Sequence, residues 1–144
     1  MKTYVDANLL VRMYAVFEGH EAAAELLKSP SAADARPFPV TDLLRFEVIN
    51  AIQRLVFESR HGGQWRVTPE AAAVALADFG EDLRDATMLQ RVSLSLREIE
   101  SEFEMLVARH TASGGFRTYD VIHVASALAL GCERFLDRKS TRLN

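Results

Sequence analysis

Hydrophobic and polar positions alternate between two rhythms along this chain. Lys2 to Val5 predicts a short strand, with Tyr4 and Val5 supplying β-preferring side chains. From Leu9 the apolar residues Leu9, Leu10, Met13, Tyr14 and Phe17 recur at helical spacing. The stretch 18–37 predicts a second helix through Ala22, Ala23, Ala24, Leu26 and Leu27, ended by Ser29-Pro30-Ser31. Phe38-Pro39-Val40-Thr41 suits a second strand, with Pro39 at an end or an edge. A long helix over Asp42–Ser59 carries the stripe Leu44, Val48, Ala51, Ile52 and Leu55. After the loop His61-Gly62-Gly63-Gln64, Thr68-Pro69-Glu70 opens a helix with body Ala71–Leu83. Val92, Leu94 and Leu96 alternate with Arg91, Ser93 and Ser95, so Gln90–Leu96 predicts a third strand. Glu98–His110 predicts a helix through Ile99, Phe103, Leu106 and Val107, broken by Gly114-Gly115. A last helix, with Thr118 as its cap and Gly131 as its stop, presents Val121, Val124, Ala125 and Leu128. Cys132–Leu136 predicts a fourth strand. This alternation predicts an α/β fold with a mainly parallel sheet, helices covering both faces.

The totals change that picture little. The 144 residues suit one domain, and 49% hydrophobic residues are enough for a core. A net charge of −3 does not advertise a nucleic-acid binder, although net charge leaves a local basic surface open. The single cysteine, Cys132, rules out an internal disulfide. No apolar run reaches membrane length and no leader-like segment precedes the first strand, so the expected location is cytoplasmic.

Three acids are candidates for chemistry. Asp6 lies where the first strand turns into a helix, the edge at which open α/β sheets bind ligands. It is equally a good N-cap. Glu47 borders the stripe of the long helix, on the side of Asn50 and Arg54; a solvated carboxylate paired with Arg54 is its local explanation. Asp120 borders the last helix's apolar face, where it also compensates the helix dipole by about 0.3–1 kcal/mol. Carboxylates brought together repel unless a cation joins them. Hard oxygen ligands suit Mg²⁺ or Mn²⁺, which meet substrate phosphates and activate water for phosphodiester hydrolysis.

Tyr4-Val5-Asp6-Ala7-Asn8-Leu9-Leu10 resembles the opening motif of PIN-domain ribonucleases, in particular the VapC toxins of type II toxin–antitoxin pairs. Phe46-Glu47-Val48 with Asn50-Ala51 resembles the family's second acidic motif, and the run from Arg117 to Ala127 its third. The resemblance spans about residues 2–136. It implies a three-layer α/β/α sandwich with a mainly parallel central sheet (PIN-like), covering residues 1–136. It also implies a metal-dependent endoribonuclease in which Asp6, Glu47 and Asp120 hold Mg²⁺ (or Mn²⁺) and act as the catalytic acids. Asn8 would be a polar residue near the metal, and Arg117 a contact to the RNA substrate. A cognate antitoxin protein and a homodimer are the implied partners.

The C-terminus departs from that pattern. Such an apolar pair as Phe135-Leu136 is usually followed by Thr or Ser, one more residue, a fourth acid and a closing helix; here Asp137 follows Leu136 directly. Asp137 thus stands about two positions early, a candidate to touch substrate or support the metal ligands, and residues 137–144 are expected to be a truncated or junction tail that lacks the fourth acidic ligand. His20, His61, His110 and His123 share no zinc-ligand spacing. His123 suits either a cleft residue or a packed helix histidine. Arg54, Arg60, Arg66 and Arg117 are candidates for phosphate contacts, and Trp65 for base stacking or a packing contact. Two other functions fit: a catalytically impaired PIN-like module that binds RNA or protein, and a phosphotransfer domain with Asp6 as nucleophile. Against the latter, Asn8 stands where a phosphatase pattern has a second aspartate.

Overall fold

The computed structural model describes residues 2–137. The sequence Thr3–Val5 forms strand β1, and helices α1 (Ala7–Tyr14) and α2 (His20–Lys28) follow. A 3₁₀ segment, Pro30–Ala35, leads into β2 (Phe38–Val40) and the long α3 (Asp42–Arg60). Then come α4 (Pro69–Asp85) and β3 (Leu89–Arg91). A 3₁₀ turn, Arg97–Ile99, opens α5 (Glu100–Leu106), which runs on through a π-helical segment, Val107–Thr111, into the short α6 (Ala112–Gly114). Helix α7 (Thr118–Ala129) and strand β4 (Arg134–Leu136) complete the described chain.

Side chains that accept from the chain ahead start three helices. Asp6 accepts from the Leu9 N–H at 3.0 Å and Thr41 from the Leu44 N–H at 3.2 Å. Thr68 accepts from the Ala71 N–H at 3.1 Å, with Pro69 in the first turn. Each such cap contributes about 1 kcal/mol. Gly115, in the left-handed region at φ 63°, ends the α5–α6 run, and its N–H returns to the Thr111 carbonyl.

Two two-stranded parallel sheets form, β1 with β4 and β2 with β3. They lie side by side through β1 and β2, in the spatial order β3, β2, β1, β4. The architecture is a three-layer α/β/α sandwich. Helices α1 to α4 pack on one another, and α5 packs on α7. Tyr4, Val5, Phe38, Val40 and Leu89 of the strands are fully buried, as are Leu9 and Leu10 of α1 and Leu44, Val48 and Ile52 of α3. Each large apolar side chain buried this way contributes about 1.5–3 kcal/mol. Because the strands run parallel, their carboxyl ends share one edge, and the functional residues gather there.

Two expectations from periodicity need correction. The third strand spans Leu89–Arg91, not Gln90–Leu96. Its partner β2 turns into α3 at Thr41, so the last ladder bond is Val92 N–H to Val40 O, and Leu96 is exposed. The buried face of α7 is Val121, His123, Ala125, Ser126 and Ala127, whereas Val124 and Leu128 are exposed. Small residues allow the close approach, and the buried polar groups are satisfied: Ser126 donates to the Ile122 carbonyl and His123 is bonded at both nitrogens. Thr118 is the first helical residue of α7; the capping position is Arg117. The expected tail, residues 138–144, lies outside the described residues.

Candidate active site at the carboxyl edge of the sheet

Asp6 follows β1 directly, and the register fixes its neighbour. Val5 pairs with Leu136, and the Asp6 N–H donates to the Leu136 carbonyl at 2.9 Å. Asp137, the next residue of β4's strand line, therefore falls beside Asp6. The two carboxylates sense each other: the Asp6 pKa is raised to about 6, first by burial and then, against the Leu9 N–H bond, by the Asp137 charge. His123 and Arg12 pull in the opposite direction without cancelling it. An acid held this way is anionic at neutral pH at a free-energy cost that a cation would relieve.

Glu47 comes to the same edge from α3, half-buried. Its Oε2 accepts from His123 Nε2 at 2.9 Å. His123 Nδ1 in turn lies 2.6 Å from the Tyr4 hydroxyl. The expected alternative for Glu47, pairing with Arg54, is not what forms, since Arg54 lies 3.7 Å from Glu58 instead. The open choice at His123 resolves into both roles at once: it is 5% exposed and it touches a candidate acid.

The remaining candidates are exposed. Asp120 lines a cavity with Leu106, His110, Phe116, Val121 and Val124, one turn before His123 on α7. Asn8 is exposed, and its carbonyl accepts from Arg12. Arg117 is exposed at the start of α7. Trp65 is exposed rather than packed. In donor chemistry Asp6, Glu47 and Asp137 suit a hard divalent cation, and the Asp6 carboxyl is raised first by burial and further by the Asp137 charge. Among the described residues, no three His, Cys, Asp or Glu side chains are already arranged to hold a metal ion.

No protein-family model matches the chain, and no curated protein matches it. A solved structure does. The crystal structure of Mycobacterium tuberculosis VapC20, described as a sarcin-ricin loop cleaving toxin, is similar over 93% of this chain and 87% of that one, with a TM-score of 0.59. The chain shares its fold with this VapC toxin, and at 17% identity the likeness is one of architecture. Within this fold, Asp6 and Glu47 occupy the strand end and helix that the first two motifs predicted. Tyr4 is a site residue that sequence reasoning missed. Its signal in the sequence is weak, a polar atom on a strand residue. The signal of His123 is stronger, a lone imidazole among the apolar and small residues of α7.

Proposed function

We propose that this protein is a metal-dependent endoribonuclease, the toxin component of a type II toxin–antitoxin pair. The observation that carries the reading is Asp6 beside Asp137 at the carboxyl end of β1 in a fold shared with a VapC toxin, with His123, which acts on the Asp6 charge, bonded to Glu47. Asp6, Glu47 and Asp120 would hold Mg²⁺ or Mn²⁺, with Asp137 as a further acid at that edge. When bound, such an ion supplies a water of lowered pKa and neutralises charge on a phosphodiester. Asp6, tied by one oxygen to the Leu9 N–H, presents its carboxylate along a single direction. Glu47 is oriented by His123. Asn8 and Arg117, both exposed beside the helices that begin at this edge, would meet the RNA. The resemblance to VapC toxins supports a cognate antitoxin, a homodimer and work in the cytoplasm.

A second reading, an impaired PIN-like module that binds RNA or protein, is favoured by one observation: Asp120 is exposed, and no ligand cluster is preassembled among the described residues. Induced expression in a bacterial host separates the two. The nuclease reading predicts growth arrest with discrete RNA fragments, and neither with Asp6→Asn. Arrest that persists unchanged in Asp6→Asn, or soluble protein without arrest, refutes it.

A further inference from the structure

Three polar groups run from β1 to α3 by way of α7. Tyr4, on β1, bonds His123 on α7, and His123 bonds Glu47 on α3. Proton positions follow from the network. An ionised Glu47 only accepts, so Nε2 carries the imidazole proton. Nδ1 of the neutral ring then accepts, so the Tyr4 O–H donates to it. Tyr4 and His123 each donate once, and the chain ends on Glu47.

The path is also buried up to its last member. Tyr4 is fully buried and His123 nearly so, whereas Glu47 is half-buried. The Tyr4 ring stacks on Phe135 at 5.4 Å and 15°, and lies 5.8 Å from the His123 ring. One Glu47 oxygen stays uncommitted by the His123 bond. Packing alone would not need a histidine here; an apolar residue at position 123 would fill the space, leaving the Tyr4 hydroxyl and Glu47 without their partner.

We infer that Tyr4 and His123 are positioning residues, a relay that holds Glu47 in one orientation for a divalent cation. The inference rests on the reading of Glu47 as a metal ligand. Polar groups behind a ligand commonly set metal affinity by about 10–100-fold. Mn²⁺ binding to the full chain, followed by the paramagnetic resonance signal of free Mn²⁺, tests both ideas together. Glu47→Gln should lose affinity, which checks the ligand. His123→Leu should weaken binding by about 10–100-fold, and Tyr4→Phe, which keeps the ring and its packing, by about tenfold. His123→Gln, whose amide N–H can reach Glu47, should recover most of the loss. Thermal melting of each metal-free variant reports folding, and Tyr4→Phe decides the matter if His123→Leu is unfolded. Tyr4→Phe and folded His123→Leu binding Mn²⁺ as wild type does, beside a weakened Glu47→Gln, overturns the relay and leaves the ligand standing. Glu47→Gln binding as wild type does overturns both.

Discussion

Replacing Asp6 by asparagine should make the metal-free protein more stable at neutral pH. The folded carboxyl has its pKa raised from 3.8 to about 6. Between those values the folded state holds a proton that the unfolded state has released. Stability therefore falls as pH rises through the window, and the full penalty is present above about pH 6. The span corresponds to about 3 kcal/mol. Asparagine removes the charge yet remains a good cap for α1, so the Leu9 N–H keeps an acceptor. At 2–4 °C per kcal/mol for a chain near this size, Asp6→Asn should melt about 6–12 °C above wild type at pH 7.5 after chelation. The two should converge near pH 4. Added Mn²⁺ should raise the wild-type midpoint and leave that of Asp6→Asn almost unmoved. Calorimetry at the two pH values, with and without Mn²⁺, makes the comparison. A variant no more stable than wild type at pH 7.5, or a difference equal at both pH values, would refute the reasoning.

Other outcomes follow from single contacts. Tyr14 donates to Asp82 at 2.6 Å, so Tyr14→Phe should lose about 1–2 kcal/mol in urea unfolding. Phe79 is 2% exposed and edge-on to Tyr14, and Phe79→Ala should cost about 3–5 kcal/mol by the same assay. Asp120 is exposed in the first turn of α7, so Asp120→Asn should change stability by only about 0.3–1 kcal/mol. On the nuclease reading that same variant should lose RNA cleavage, and assaying both properties separates a functional acid from a helix-dipole one.

The elements that the sequence displays best are those whose local and tertiary demands agree. Asp6, Thr41 and Thr68 cap helices where the hydrophobic rhythm changes, and α3 and α4 run nearly as their stripes predict. Helix α7 shows why the rest was hidden. Hydropathy favours burying Val124 and Leu128, yet the structure buries His123 and Ser126. The deciding partners, Tyr4 and Glu47, lie 119 and 76 residues away. Periodicity cannot weigh hydrogen bonds at that separation. The same limit applies at the candidate site. Asp6 and Glu47 can be placed from strand and helix ends, and Asp137 comes beside Asp6 through a ladder register that spacing does not reveal. Strand β3 ends early because its partner turns away, which is a property of β2 rather than of residues 92–96.

The central claim is that the acids at this edge cleave RNA. The most direct measurement is incubation of purified protein with total cellular RNA, in Mn²⁺ and in EDTA, beside Asp6→Asn and Glu47→Gln. Discrete fragments that require Mn²⁺ and disappear in both variants are the predicted result. Intact RNA with folded wild-type protein in Mn²⁺, or equal cleavage by the variants, would contradict the claim.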